Sequence, residues 1–360
     1  MAIKKIFCEA HNSNMSTGFG QFNYHFLKAL HSIKYKTAKI VVHTSTIAKF
    51  KEEFINFFKY KYYLGLFRYK PFRISKKYDL WHSLNQNSKI IPKYNIPMLL
   101  TIHDVNFMEV ANDTKRIKRL RALFEEKLDR ANTIVYISKY SKRQTHKYFR
   151  IKDKTETIIY NGCTILEKDK KLINPSPTAS PFFFSIGNFL ERKNFLSIVK
   201  MMHHFQDKNL FIAGNCSTSY GKIISSYIIE NDLKNVHLLG IVSDYHKQCY
   251  LEYCEVFLFP SISEGFGLPL LEAMKFSKPI VSSSKTCLPE ILGDAGYYFK
   301  DFEPLSMSNT VKFAIVDFKT NKDKKLLNMK KKLELFSWEK AAKQYAELYD
   351  TMLNDKKDKF

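Results

Sequence analysis

Residues 264–274 read EGFGLPLLEAM, and this stretch decides the fold of the second half of the chain. It follows the apolar run EVFLFPS, which predicts a buried strand. Pro269 is favoured in the first turn of a helix, because its missing N–H needs no partner there. The stretch therefore predicts a strand, a glycine-rich turn and a helix start. Free N–H groups at a helix start, together with the helix dipole, favour a phosphate or diphosphate.

Two glutamates, Glu264 and Glu272, flank this predicted anion site. A carboxylate repels a neighbouring phosphate, so we expect hydroxyl groups as partners of both side chains. Sugars and riboses offer such hydroxyls, and carboxylates accept charge-assisted hydrogen bonds from them. One glutamate for a hexose and one for a ribose would use both residues. The alternative is that Glu264 is a loop acid and Glu272 an ordinary solvated helix residue.

Short apolar runs alternate with helix-like stretches along the chain, a pattern that predicts parallel sheets covered by helices. The ten runs are KIFCEA, AKIVVHT, YDLWHSL, MLLTIHD, TIVYIS, FFFSIG, NLFIAG, VHLLG, EVFLFP and KPIVSSS. A Pro-rich break at 161–181 is the best linker candidate. We expect two doubly wound α/β lobes facing a central cleft, 1–170 and 171–337, with a C-terminal helix at about 338–353 that packs back on the first lobe.

The chain is strongly basic, with 58 Lys and Arg against 35 Asp and Glu and a formal net charge of +23. This excess favours partners with phosphate or anionic lipid head groups. The stretch 49–77 interleaves basic residues with aromatic ones and predicts a surface that docks on an anionic membrane. A core-facing helix with a solvated basic face explains the stretch equally well. Nucleic-acid binding would also suit it but leaves the glutamate–glycine loop unexplained, so we expect no nucleic-acid partner.

The six cysteines form no CxxC pair and no Cys/His cluster at zinc spacing, which predicts reduced thiols. The N-terminal MAIKKIFCEA lacks the apolar run of a secretory signal. No stretch approaches the roughly 18 apolar residues that span a bilayer. We expect a cytoplasmic protein, or one peripheral to the inner face of the cytoplasmic membrane.

The loop from Glu264 to Glu272 resembles the signature of the retaining glycosyltransferases of family 4, the glycosyl transferases group 1, which have the GT-B fold. SIGNFLERKN, ending at 194, resembles the family segment whose Arg and Lys hold the donor diphosphate. TGFGQFNYHFLKAL, starting at 17, resembles the N-terminal glycine loop. IIYNG, IAGN, HLLGIVSD, PSISEGFG, LPEILGDAG and FSWEKAA follow in the family's order, so the resemblance covers nearly the whole chain.

The resemblance implies transfer of a sugar from a nucleotide-sugar donor in the second lobe, with retention of the anomeric configuration. The acceptor would be a glycan or a lipid-linked molecule in lipopolysaccharide, O-antigen or capsule biosynthesis. The residues to which the resemblance assigns roles are His103, Arg192, Lys193 and Glu264 in catalysis, and Gly18, Gly265, Phe266, Gly267, Leu268 and Glu272 in donor binding.

The residue sequence of the EGFGLP motif favours GDP-mannose as the donor. The alternatives are a UDP-sugar donor on the same fold and a non-catalytic sugar-nucleotide-binding or scaffold protein. No apolar strand ends in Asp-x-Asp, so we expect neither a metal nor a cofactor. Three positions depart from the family: Thr17 and Ser277 stand where relatives have glycine, and Gln21 where many have arginine.

Overall fold

A computed structural model of the chain describes residues 3–11, 17–109, 115–164, 178 and 180–354. Within these ranges the chain forms two compact units. One comprises the described residues of 1–162 and 336–360, and the other those of 163–335. Most of the predicted linker and the predicted lobe boundary after residue 170 lie outside the described residues.

The first unit is built on a parallel sheet of seven strands. Its strands are β1 (Lys5–Glu9), β2 (Lys39–Thr44), β3 (Lys59–Tyr62), β4 (Leu80–Ser83), β5 (Met98–Ile102), β6 (Thr133–Tyr136) and β7 (Thr155–Ile158). Its first four helices are α1 (Gly18–Ser32), α2 (Ile47–Phe54), α3 (Lys115–Arg130) and α4 (Lys139–Tyr148). The spatial order β3-β2-β1-β4-β5-β6-β7 reverses direction between β1 and β4. In open parallel sheets, ligands bind beyond the carboxyl ends of the strands at such a reversal.

The second unit contains a parallel sheet of six strands in the order β10-β9-β8-β11-β12-β13. Its strands are β8 (Phe182–Ile186), β9 (Asn209–Ala213), β10 (Val236–Gly240), β11 (Val256–Phe259), β12 (Ile280–Ser282) and β13 (Tyr297–Tyr298). Its helices are α5 (Phe195–Met201), α6 (Ser219–Glu230), α7 (Asp244–Tyr253), α8 (Leu268–Lys275), α9 (Leu288–Leu292), α10 (Pro304–Thr320) and α11 (Lys322–Leu335). Here the order reverses between β8 and β11.

Continuous apolar runs place the strands in the interiors of the two sheets. Every residue of β5, β6 and β11 is buried, as expected for parallel strands covered on both faces by helices. All ten predicted runs form strands. The prediction of two doubly wound α/β sheets is therefore confirmed.

The last helix, α12 (Trp338–Asn354), packs on α1 in the first unit. Two of its tyrosines reach polar side chains of the sheet. The Tyr349 hydroxyl lies 2.6 Å from Nδ1 of His82, and the Tyr345 hydroxyl lies 3.0 Å from Oγ1 of Thr101. These side chains are fully buried. Because buried polar groups are costly unless they are paired, the contacts fix how α12 sits on the sheet.

The basic stretch 49–77 does not form one helix. It comprises the end of α2, strand β3 and two short 3-10 turns at Gly65–Arg68 and Lys70–Phe72. The phenylalanines of α2, Phe50 and Phe54, are buried, whereas neither 3-10 turn contains a buried residue. The first part therefore faces the core, and the second part is a surface segment.

Candidate active site

Residues of the predicted donor site lie at the strand reversal of the second unit. Strand β8 is followed by a turn that ends in a 3-10 segment at Glu191–Lys193, and β11 is followed by the loop that leads into α8. Because β8 and β11 are adjacent and parallel, both loops leave the same edge of the sheet. The topology therefore brings together two segments that are about 70 residues apart in sequence.

Two glycines let the loops after β8 and β9 approach closely. A Cβ atom on Gly214 would lie 1.8 Å from the carbonyl oxygen of Gly187, a distance that no side chain tolerates. Gly214 also has a φ of 142°, a backbone conformation that other residues rarely adopt. This close contact supports the turn that carries Arg192 and Lys193.

The centre of the site is an ion pair between Lys193 and Glu264. The Lys193 ammonium donates a hydrogen bond to Oε1 of Glu264. The Arg192 guanidinium lies 3.6 Å from Oε2 of the same carboxylate. The Ser261 hydroxyl donates to Oε1 at 2.8 Å. The structure therefore brings together three predicted catalytic residues and adds Ser261.

The same turn is tied to the β11 loop through its backbone. The Arg192 carbonyl accepts from the Ile262 N–H at 2.8 Å, and the Arg192 guanidinium donates to the Ser263 carbonyl at 2.8 Å. The Glu264 N–H donates to the Thr286 hydroxyl at 3.3 Å. These bonds hold the cations and the carboxylate in fixed positions relative to one another.

Glu264 is ionised in this environment. Burial alone raises the pKa of its carboxyl, but the charges of Lys193 and Arg192 and the hydrogen bonds from Lys193 and Ser261 outweigh it, so the pKa lies below its usual value. Glu264 is only 8% exposed. Glu264 thus lies in the loop, but it is buried and paired, unlike a solvated loop acid.

The N-terminus of α8 faces the end of the same loop. Gly267 is its N-cap residue with a φ of 95°, and no side chain caps the helix in the described part of the chain. A Cβ atom on Gly267 would lie 2.8 Å from the Leu288 side chain, so the position requires glycine. Pro269 lies in the first turn, as predicted. An uncapped helix start beside two cations is suited to an anion.

Glu272 lies on α8 and has a separate set of partners. Its Oε1 accepts hydrogen bonds from the Thr164 hydroxyl and from the Lys247 ammonium, the latter at 3.1 Å. The residue is 5% exposed. The alternative of an ordinary solvated helix residue is therefore wrong for Glu272.

His103 and Gly18 belong to the first unit, at the edge where its strand order reverses. His103 follows β5, and Gly18 is the first residue of α1, whose N-cap Thr17 accepts from the Gly20 N–H at 3.1 Å. The rings of Phe19 and Phe22 on α1 contact the His103 imidazole edge-on. The structure thus places the predicted glycine loop and the predicted histidine side by side.

The hydrogen bonds of His103 define its protonation. Nε2 lies 2.8 Å from the Leu84 carbonyl oxygen, which can only accept, so Nε2 carries the proton and Nδ1 the lone pair. Burial lowers the pKa of His103 to about 4, against the opposing effect of the bond to Leu84. His103 is therefore neutral at pH 7 and presents an acceptor.

The remaining sequence predictions concern metals, thiols and membranes. Among the described residues, no group of three or more His, Cys, Asp or Glu could hold a metal ion. The six cysteines all lie within the described ranges and form no disulfide there, and four of them are buried. No helix in the described ranges is long and apolar enough to cross a membrane.

Three side chains of the site were not singled out from the sequence: Thr164, Lys247 and Ser261. Ser261 lies within the quoted PSISEGFG motif and could have been found from its spacing to Glu264. Lys247 and Thr164 come from segments distant from α8, and one sequence contains no signal that pairs them with Glu272.

Part of the chain matches the model of a known protein family. Residues 167–335 match the model of the family described as glycosyl transferases group 1. This range contains Arg192, Lys193 and Glu264 with their neighbours. The matched residues therefore include the whole cluster of cations and carboxylates in the second unit.

Relatives with assigned names extend the match into the first unit. An uncharacterised glycosyltransferase of Methanocaldococcus jannaschii is 27% identical over 263 residues, 72% of this chain and 70% of the relative. The O-antigen chain mannosyltransferase RfbU of Salmonella typhimurium is 23% identical over 251 residues, 65% of this chain and 69% of the relative.

Solved structures support the fold. Anabaena HepE, solved in complex with UDP and glucose, superposes with a TM-score of 0.71 over 97% of this chain and 100% of its own, at 16% identity. At that identity the similarity shows the fold alone. The two parallel sheets and the solved structures give the chain the GT-B fold, the named relatives identify it as a glycosyltransferase, and its residues 167–335 match the glycosyl transferases group 1.

Proposed function

We propose that this protein transfers a sugar from a nucleotide-sugar donor to a glycan or lipid-linked acceptor of a bacterial surface polysaccharide, with retention of the anomeric configuration. The second unit binds the donor and the first unit the acceptor. The observation that carries the proposal is the cluster of Lys193, Arg192 and Glu264 beside the start of α8, in which Lys193 and Glu264 are buried and Arg192 is partly exposed. A scaffold protein has no physical need for such a cluster.

The two cations are placed to stabilise a leaving diphosphate. As the bond from the sugar to the diphosphate breaks, negative charge grows on the departing oxygen. Lys193 and Arg192, with the N–H groups at the start of α8, offer fixed donors to that charge in a largely buried site. In the structure both cations contact Glu264, so a diphosphate competes with this carboxylate for the same N–H donors.

Glu264 then binds the transferred sugar. It is ionised and held by Ser261, so it accepts hydrogen bonds from sugar hydroxyls and remains oriented after the cations turn to the phosphate. A charge-assisted bond of this kind contributes about 1.5–3 kcal/mol. Glu264 thereby orients the sugar, and the mechanism requires no protein nucleophile.

His103 accepts a hydrogen bond from a substrate hydroxyl. Its Nε2–H is engaged by Leu84, so Nδ1 is the atom available to a ligand. With a pKa of about 4 the imidazole is a weak base. It therefore orients a hydroxyl of the sugar or of the acceptor, and the leaving phosphate takes up the acceptor proton.

Mannose from GDP-mannose is the favoured donor. The mannosyltransferase RfbU is similar to this chain over most of its length, and the sequence of the glycine loop points the same way. A UDP-sugar is the second candidate, because HepE has the same fold and was solved with UDP. We further propose that the reaction needs no divalent metal, since the cations and the helix start perform its task.

The surface segment of the first unit, residues 62–72, suits a lipid-linked acceptor. Tyr62, Leu64, Leu66, Tyr69 and Phe72 are each between 46% and 57% exposed. The Arg68 guanidinium lies 4.8 Å from the centre of the Tyr69 ring, so cationic and aromatic groups share one surface. Aromatic rings settle at head-group depth and cations bind anionic lipids. We propose that this segment docks the enzyme on the cytoplasmic membrane.

Donor turnover tests the proposed function without knowledge of the acceptor. The protein is incubated with GDP-mannose, UDP-glucose or UDP-galactose without added metal, and NMR follows slow transfer of the sugar to water. We expect release of one nucleotide together with a sugar whose first detected anomer is that of the donor. Release of the opposite anomer would contradict retention. Release from none of the donors would contradict transfer from a nucleotide sugar. Release that a chelator abolishes would contradict a reaction without a divalent metal.

A further inference from the structure

Lys247 lies between two carboxylates of the second unit. Its ammonium nitrogen is 3.1 Å from Oε1 of Glu272 and 3.2 Å from Oδ1 of Asp244. The side chains of Lys247 and Glu272 are 12% and 7% exposed, whereas that of Asp244 is 81% exposed. The bond to Glu272 is thus the shielded one, and Asp244 adds a solvated charge.

The pair connects two helices that start at the same edge of the sheet. Helix α7 follows β10, and its N-cap Ser243 accepts from the His246 N–H at 3.2 Å. Lys247 is one turn into this helix, and its own N–H donates to the Ser243 carbonyl at 2.9 Å. Glu272 is one turn into α8, which follows β11. The capped start of α7 therefore determines where the ammonium group can reach.

The contacts of Glu272 are asymmetric. Oε1 accepts from both Lys247 and Thr164, which occupies its two lone pairs. In the described part of the chain no donor reaches Oε2. A carboxylate whose one oxygen is anchored twice presents the other oxygen in a fixed direction. That arrangement is suited to hydroxyl donors held at a defined position.

Charge supports the same role. Burial lowers the pKa of Lys247, but Glu272 and Asp244 outweigh it and raise the pKa above its usual value. The ammonium group is therefore charged at neutral pH. It offsets a carboxylate that would otherwise repel the nearby diphosphate, so Glu272 can remain an acceptor for hydroxyl groups.

We propose that Lys247 is a positioning residue that holds Glu272 for the ribose hydroxyls of the donor. The inference rests on the proposed function, because it takes the ligand of the second unit to be a nucleoside diphosphate. Lys247 acts through Glu272 and does not contact the nucleotide itself.

The experiment compares two forms of one nucleotide. Dissociation constants are measured by calorimetry for GDP and 2′,3′-dideoxy-GDP, and for the UDP pair, with wild type and with Lys247→Met. We expect wild type to bind the dideoxy form at least tenfold more weakly. In Lys247→Met the ratio between the dissociation constants of the dideoxy form and of the parent nucleotide should fall below threefold. Lys247→Arg, which keeps the charge, retains most of the ratio.

Lys208→Met is the matched control. Lys208 pairs with Glu255 at 2.9 Å in the same unit, but both residues precede their strands and lie at the opposite edge of the sheet. This variant should keep the wild-type ratio. If Lys247→Met does not fold, Lys247→Gln and Lys247→Arg provide the comparison.

The outcomes separate the inference from the function on which it rests. If wild type binds neither GDP nor UDP, the proposed donor site itself is wrong. If wild type binds a nucleotide but does not discriminate against the dideoxy form, Glu272 does not read the ribose and the inference fails. If wild type discriminates and Lys247→Met discriminates equally, Lys247 has no positioning role and the inference fails while the proposed function stands.

Discussion

Lys193 and Glu264 are 71 positions apart in the sequence and form a buried ion pair where the strand order of the second sheet reverses. Each side chain is about 10% exposed. A pair on the surface contributes little, whereas loss of one partner of a buried pair leaves an uncompensated charge. Replacement of either partner therefore shows whether the reaction uses this pair.

Neutral replacements at this pair should abolish most turnover. Glu264→Gln removes the anionic acceptor for the sugar, and Lys193→Ala removes one fixed donor to the leaving diphosphate. We expect each change to lower kcat about 10²–10³-fold, as loss of a donor to developing charge does elsewhere. Rates are measured by nucleotide release, and circular dichroism checks the fold. Lys208→Ala is the control, because its ion pair lies at the other edge of the sheet. Near-normal kcat in either site variant would refute the roles assigned here.

Stability should fall as the pH is lowered below about 6.5. Burial lowers the pKa of His43 and of His82 to about 3, and that of His103 to about 4. The unfolded chain therefore binds protons that the folded chain does not, so each imidazole stabilises the fold above pH 6.5 and loses this contribution as the pH falls. At pH 5 the loss is about 2 kcal/mol per histidine.

Urea unfolding at pH 7.5, 6 and 5 measures this dependence. His82→Gln should reduce the pH slope by about one third, whatever it does to the stability at pH 7.5. His204→Gln, at an exposed position, should leave the slope unchanged. A wild-type slope of zero between pH 7.5 and 5 would show that these imidazoles are not buried in their neutral forms.

A single glycine should stabilise the second unit. Ser277 follows α8 with a φ of 58°. The Lys278 N–H donates to the Ala273 carbonyl, and the Ser277 N–H to the Met274 carbonyl. This pattern is the Schellman motif, in which the left-handed residue is usually glycine. We expect Ser277→Gly to stabilise by about 0.5–1 kcal/mol. Ser277→Ala removes the same hydroxyl without relieving the backbone, so it should bring no gain in thermal unfolding. Equal effects of the two changes would exclude the backbone explanation.

Binding to anionic membranes should depend on the surface segment of the first unit. Flotation with vesicles of phosphatidylglycerol and phosphatidylcholine should recover wild type, and vesicles of phosphatidylcholine alone should recover little. The double change Tyr69→Ser and Phe72→Ser should reduce recovery several-fold. Phe313→Ser, at a 61% exposed position of the second unit, is the matched control. Equal, negligible recovery with both vesicle types would remove the membrane proposal.

The fold could largely be predicted because its strands are apolar and buried. All ten apolar runs became strands, and the turn before Pro269 formed as its residue types dictate. The three strands that were not predicted, β3, β7 and β13, lie at sheet edges. Strand β3 reads KYKY, with no fully buried residue. Edge strands need fewer apolar residues, so hydrophobic periodicity does not detect them.

The candidate site was predicted less completely. The motif resemblance supplied Arg192, Lys193 and Glu264, and the parallel order of β8 and β11 explains why their loops meet. Lys247 could not be found, because its pairing with Glu272 depends on the relative placement of α7 and α8. The bond between Tyr349 on α12 and His82 has no signal in the sequence either. Such pairings are set by tertiary packing.

We propose that the cluster around Lys193 binds the diphosphate of a nucleotide donor. Thermal unfolding of wild type and Lys193→Ala is measured with UDP, GDP, dTDP and ADP, without added metal. A nucleotide at about 100 times its dissociation constant stabilises the folded state by roughly 2.7 kcal/mol. We expect a clear rise in the Tm of wild type with GDP or UDP and a much smaller rise in the Tm of Lys193→Ala. No rise with any nucleotide, or an equal rise in the two proteins, would contradict it.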